Sequence, residues 1–242
     1  GLATADILVG DVNPSGKVVD TWAKSYDDYP SSETFNESSS YVNYTEDIFV
    51  GYRYFETLDP NYNKVNYPFG YGLSYTTFEI DPVEVSFDNE NVNISATVTN
   101  TGDVSGREIV QVYFSAPQMG KNPDDPKLSK PAKELAAFDK TEMLEPGASE
   151  TLEMSFPITD MSSYDDTGAT GHKSAYVMEA GNYDIYVGNS IKDAGEQGVR
   201  DTYTLDETIV TEQLSEKLAP VQLPKRLLAD GTYQEIETPP AF

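Results

Sequence analysis

Cysteine is absent from the 242 residues, which excludes disulfides and thiolate metal sites and leaves the redox compartment open. Histidine occurs once, as His172, so zinc sites built on histidine pairs are excluded as well. A serine–histidine–aspartate arrangement would have to use this residue, and no GxSxG elbow supports one. His172 lies in the glycine-rich stretch TGATGHKSA and reads as a solvated loop residue. No hydrophobic run approaches the length of a membrane span. Neither a basic n-region nor an apolar h-region opens the chain, so no targeting segment is legible. Basic residues are few: 16 Lys and Arg stand against 41 Asp and Glu, for a net charge of −25. Such a chain is repelled by nucleic acid and by anionic membrane surfaces, which excludes both as partners.

The acidity reads first as a soluble, solvated surface. Calcium binding is the sharper alternative, with Asp124, Asp125, Asp165 and Asp166 as its material. These pairs lack the alternating ligand loop and closing glutamate that calcium loops use. Acceptor triplets for N-glycosylation begin at Asn36, Asn43 and Asn93 and matter only in a secreted eukaryotic protein. Phosphate binding has no support either, because GDVNPSGK lacks the GxxxxGK[ST] spacing.

What is abundant is tyrosine, 17 residues against one tryptophan, together with valine, threonine, glycine and proline. This mixture favours strands and turns. Three regions differ in texture: residues 1–75, 76–190 and 191–242. In the second, VNISATVTN places Val92, Ile94, Ala96 and Val98 on one face and Asn93, Ser95 and Thr97 on the other. EIVQVYFSA alternates in the same way, Ile109, Gln111 and Tyr113 opposite Val110, Val112 and Phe114. NTGDVSG and EPGAS are turn clusters, and AGNY at 180–183 separates two strand-like runs as a hairpin would. Short strands at this spacing predict a β-sandwich of about 110 residues. The third region is expected to hold a strand at 201–205, a short helix near 212–218, and then an extended, proline-punctuated tail or linker.

The first region opens with a predicted helix over Ala3–Val9 that is apolar on most sides. Such a helix is normally buried, so it is expected to be an internal helix whose cover lies in residues outside this chain. Glu46, in YTEDIFVGYRYFET, is the best-placed candidate acid, and its structural reading is an ion pair with Arg53. Arg53 also sits among Tyr52, Tyr54 and Phe55, on whose rings it can stack. YPFGYGLSYTTF alternates Gly70 and Gly72 with Phe69, Tyr71 and Leu73. It reads as an aromatic-stapled junction between two domains, with a sugar-stacking platform as the alternative.

Taken in order, ADILVGDVNPSGK, YTEDIFVGYRYFET and YPFGYGLSYTTF closely resemble the C-terminal half of glycoside hydrolase family 3, the β-glucosidase and β-xylosidase group. TNTGDVSGREIVQVYFSAP, KPAKELAAFDKT, LEPGASETLEMSF and AGNYDIYVGNS resemble that family's fibronectin type III-like domain. The likeness covers about residues 1–190, and GKVVDT stands here where the family has GKLPVT. It implies a mainly β fold: a fibronectin type III-like β-sandwich preceded by the terminal portion of an α/β sandwich domain. It also implies a retaining β-glycosidase, most simply a β-glucosidase acting on terminal glucosyl residues. That chemistry needs a nucleophilic Asp on a barrel and an acid/base Glu on the α/β sandwich, held about 5–5.5 Å apart. Neither motif occurs in this chain, so it is expected to hold no catalytic, cofactor-binding or metal residue and to be inactive alone. Its partners are then the barrel and the rest of the α/β sandwich of the same enzyme, together with a β-glucoside or oligosaccharide substrate. Some family members place the barrel after the fibronectin-like domain, so the tail beyond 190 is a possible lead into it. The rival reading is a stand-alone carbohydrate-binding or adhesion module, which the apolar opening helix disfavours.

Overall fold

A computed structural model describes residues 1–215 and 223–236. The first region is sparse in regular structure. Helix α1 (Leu2–Val9) ends at Gly10 in the left-handed conformation, and none of its residues is buried. Leu2, Leu8 and Val9 are 84, 76 and 71% exposed. Among the described residues, later segments therefore do not shield this helix. A two-stranded ribbon follows, β1 (Trp22–Ala23) against β2 (Val65–Tyr67), with helix α2 (Tyr52–Leu58) between them in sequence. Val18, in the GKVVDT segment, exchanges backbone bonds with Gly70 and Tyr71, while Val19 projects into solvent.

The sandwich is built from two antiparallel sheets. One comprises β3 (Phe78–Phe87), β4 (Asn91–Asn100) and β7 (Ser149–Pro157), in the order β3-β4-β7. The other runs β11-β10-β5-β6, from β5 (Ile109–Ser115), β6 (Glu134–Lys140), β10 (Gly181–Gly188) and β11 (Val199–Leu205). The strand expected at 201–205 is thus the edge of the second sheet, which carries that sheet past residue 190. Alternation decides the packing. Val92, Ile94, Ala96 and Val98 of β4 face Val110, Val112 and Phe114 of β5 and Ile185 and Val187 of β10 across one continuous core. On the outer face, β4 and β7 are zipped by side chains in register: Ser95 to Glu153, Thr97 to Thr151, Thr99 to Ser149.

β5 departs from simple alternation, because both its faces are buried. Gln111 and Tyr113 point away from the sandwich core but lie beneath Tyr52, Phe69 and helix α3 (Ile191–Gln197), whose Ile191 and Ala194 complete a second small cluster. That second face is where residues 1–75 rest on the sandwich.

Two sequence expectations need correction. AGNY is not a hairpin turn: β9 (Ala175–Met178) and β10 belong to different sheets. β9 pairs instead with β8 (Ser163–Asp165) and β12 (Ile209–Gln213). Gly181, at φ 137°, redirects the chain there, with Pro117 only 2.8 Å from where a Cβ would stand. The helix expected near 212–218 begins as strand, since Glu212 and Gln213 close β12 against Tyr176 and Ala175 of β9. The β-branched run Ile209-Val210-Thr211 favours pairing on that edge. Residues 216–218 of the expected helix lie outside the described residues. A last hairpin, β13 (Lys225–Leu227) with β14 (Tyr233–Glu235), returns the tail to the body. No helix among the described residues is long and apolar enough to cross a membrane.

Candidate functional site

The junction between residues 1–75 and the sandwich concentrates the buried polar groups. Helix α2 supplies three anchors. Tyr52 Oη accepts from Leu135 N at 2.9 Å, Thr57 Oγ1 accepts from Ala132 N at 2.9 Å, and Glu56 Oε2 pairs with Lys133 Nζ at 3.2 Å. Tyr62 donates a very short hydrogen bond to the other oxygen of Glu56. Burial, and then the Glu56 charge, push the Tyr62 phenol far above its ordinary value, so it stays a proton donor. Tyr113 is raised in the same direction, first by burial, and donates to Gln111.

The aromatic run 67–75 forms the other wall. Phe69 packs on Tyr52 with centroids 4.7 Å apart, and Tyr71 leans on Tyr67, which meets Trp22 edge-on at 6.1 Å. The interplanar angles of 45°, 40° and 76° show that these rings pack on one another and do not lie in one plane. Gly70, at φ 80°, leaves only 2.5 Å between a Cβ and the Gln111 side chain, and Gly72 would bring one within 2.6 Å of the Gly16 carbonyl. Large rings and close backbone approach together make this stretch a joint.

A cleft of about 410 Å³ opens at that joint, lined by Ser15, Lys17, Gly72, Arg107, Glu108 and Asn189. Its two best-placed ionisable groups neutralise each other, Lys17 Nζ lying 2.8 Å from Glu108 Oε1. Asn13 stitches its rim, donating to Ser105 O and accepting from Ser74 Oγ and Tyr75 N.

Glu46 is not paired with Arg53, contrary to the sequence expectation. Helix α2 turns Arg53 towards the start of β6, where its Nε lies 3.0 Å from Glu134 Oε1. Burial raises the Glu134 carboxyl and the guanidinium opposes that rise. The expected ring contact does form, with the Arg53 guanidinium 5.9 Å from the centroid of Tyr52. Glu46 itself is only 6% exposed, and its Oε2 has no hydrogen-bond partner among the described residues. His172 is exposed. Three of these acidic residues are engaged within the chain: Asp125 accepts from Asn122 N, Asp165 accepts from Gly168 N, Ala169 N, Thr170 N and Thr170 Oγ1, and Asp166 pairs at long range with Arg226. No cluster of three metal-ligating side chains forms among the described residues.

Sequence reasoning missed two buried and well-satisfied polar sites. Asn100 is wholly buried, accepts from Thr76 Oγ1 and Gly102 N, and donates to Val104 O and Leu144 O. Lys130 and Glu179 form a buried pair at 2.6 Å, with Lys130 also donating to Pro117 O and Glu179 accepting from Lys127 N and Leu128 N. Nothing local distinguishes Lys130 in KLSKPAKEL or Glu179 in VMEAG from a surface charge. The nearest available signal is the adjacent Pro131, which marks a fixed loop.

Comparison with known proteins places these elements. Residues 1–75 match the glycosyl hydrolase family 3 C-terminal domain and residues 108–191 the fibronectin type III-like domain. Beta-glucosidase A of Butyrivibrio fibrisolvens is 48% identical across 98% of the chain, which spans 29% of that protein. An exo-alpha-(1->6)-L-arabinopyranosidase of Bifidobacterium breve is 37% identical across 81% of the chain, which spans 24% of it. In three dimensions, a β-glucosidase from Paenibacillus barengoltzii superposes with a TM-score of 0.78 at 45% identity, over 97% of the chain and 25% of that protein. The chain therefore spans under a third of the length of the relatives it matches. With its motifs, its sandwich and these matches in agreement, the chain belongs to glycosyl hydrolase family 3, with residues 1–75 matching its C-terminal domain and residues 108–191 its fibronectin type III-like domain.

Proposed function

We propose that this chain is the C-terminal, non-catalytic part of a retaining β-glucosidase, with the nucleophilic Asp and the acid/base Glu on polypeptide outside it. The observation that carries the reading is the pattern of likeness: β-glucosidases match almost the entire chain, yet the chain accounts for only a quarter to a third of each. The buried carboxylates described here support it. Of the four buried glutamates, Glu56, Glu108 and Glu179 are each held by a cation of this chain, as is half-buried Glu134, which suits a structural framework better than acid/base turnover; Glu46 is the exception. The partner is the barrel and the remaining α/β sandwich of the same enzyme. Exposed Leu2, Leu8, Val9, Trp22 and Leu73 supply an apolar surface for it. In this reading residues 1–75 complete the α/β sandwich beside the active site, and the fibronectin-like domain buttresses it. The arabinopyranosidase among the relatives marks the sugar as a property of the catalytic part.

Reconstitution tests the proposal. A barrel-bearing polypeptide of the enzyme is assayed on an aryl β-glucoside with and without this chain. The chain is expected to raise activity; equal rates in both arms would refute the reading.

A further inference from the structure

We infer that the terminal hairpin β13–β14 is a clasp that closes the family 3 C-terminal domain onto the sandwich, with Arg226 as its pin. The Arg226 guanidinium meets Asp166 in a bidentate pair, at 3.1 Å to Oδ1 and 2.6 Å to Oδ2, and lies 3.6 Å from Asp47 Oδ2. Asp47 belongs to residues 1–75 and Asp166 to the loop after β8, so a single cation bridges carboxylates from both units. The neighbouring backbone repeats the pattern. Leu227 N donates to Thr45 O at 2.7 Å, Ala229 N donates to Ser129 Oγ at 2.8 Å, and the Leu227 side chain is buried.

Three further features make this a closing device. Asp47 and Asp166 repel each other when Arg226 is absent, so the guanidinium is the condition for their approach. Asp47 also holds φ 52°, a left-handed conformation that is uncommon outside glycine and that Asp tolerates better than most residues. Between Thr45 and Asp47, the turn that the hairpin grips contains Glu46, buried with one carboxylate oxygen unpartnered among the described residues. An unpartnered buried carboxylate oxygen costs free energy, so the turn needs the hairpin's contacts on Thr45 and Asp47 to stay in place. Within the hairpin it is Arg226 alone that meets the acidic pair, since Lys225 is turned to the Tyr233 ring. The inference stands on the hairpin's own contacts and does not require the β-glucosidase reading.

Amide hydrogen exchange on the full chain tests it, read at residues 44–48 and 164–168 with β4 and β7 as internal references. Arg226→Ala should speed exchange in both segments by about tenfold or more while leaving the references unchanged. Arg226→Lys, which keeps the charge without the bidentate fork, should fall between. Arg226→Ala combined with Asp47→Asn should recover part of the protection, because the like-charge repulsion is gone. Lys225→Ala, whose ammonium only overlies Tyr233 at 4.2 Å, should resemble wild type. Faster exchange confined to residues 225–235, no rescue by Asp47→Asn, or an equal rise in β4 and β7 would overturn the clasp.

Discussion

Replacing Lys130 by Met probes the most deeply buried ion pair described. Lys130 is 1% exposed and Glu179 is 4% exposed, and their charged atoms lie 2.6 Å apart. Burial lowers the Lys130 pKa, and Glu179 opposes that shift through hydrogen bonding and charge. Removing one member of such a pair strands the other, which costs about 3–5 kcal/mol. Here the stranded carboxylate keeps two donors, Lys127 N at 2.5 Å and Leu128 N at 3.1 Å, whereas Pro117 O loses its partner. The loss should therefore fall at the lower end, about 3 kcal/mol. Glu179→Gln removes the stranded charge and keeps one carbonyl oxygen for the two backbone N–H groups that now bond separate oxygens, so the double variant should cost less than the sum of the singles, by about 1–3 kcal/mol. Urea unfolding followed by circular dichroism measures all three. A loss under about 1 kcal/mol for Lys130→Met, the worth of a surface pair, would refute the reasoning, as would additive singles.

Other consequences are read in the same way. Asn100→Ala strands four partners, of which Thr76 and Leu144 are buried, and should destabilise by about 3 kcal/mol in thermal or urea unfolding. Gly70→Ala forces a Cβ onto Gln111 at a left-handed φ and should cost about 2 kcal/mol or more, with the loosening seen by exchange at the 52–58 helix. Asp165 loses water by burial, which alone raises its pKa, but the donors from Gly168, Ala169 and Thr170 outweigh this and hold it below its ordinary value of 3.8. The stability these bonds supply is complete above that value and is lost as the pH falls through the lower folded value. Acid should therefore release the 165–170 loop, measurable as faster exchange there, while Asp165→Asn should be already released at neutral pH.

Period-two alternation made the sandwich legible, because Val92, Ile94, Ala96 and Val98 have one face to bury and Asn93, Ser95 and Thr97 one to hydrate. The same rule described β5 only in part: its second face is covered by Tyr52, Phe69 and α3, contacts between segments distant in sequence. AGNY has hairpin composition, yet a sharp turn and a passage between sheets use the same glycine, and only the partner strands differ. The Glu46–Arg53 pair failed for a related reason. Seven residues of separation cannot say which way α2 aims a guanidinium, and Glu134 lies 81 residues away from Arg53. Long-range polar saturation, as at Asn100 and Lys130, leaves no periodic trace. The family motifs were legible because they are long and ordered, and they named the joint that the structure then built.

The most direct test is turnover by the purified 242-residue chain with no other polypeptide present. Release of the aryl group from an aryl β-glucoside should not exceed the buffer rate at any substrate concentration. Saturable hydrolysis by the chain alone, abolished when one of its own carboxylates such as Glu46 is replaced by the amide, would place the reactive pair inside this sequence and contradict the account.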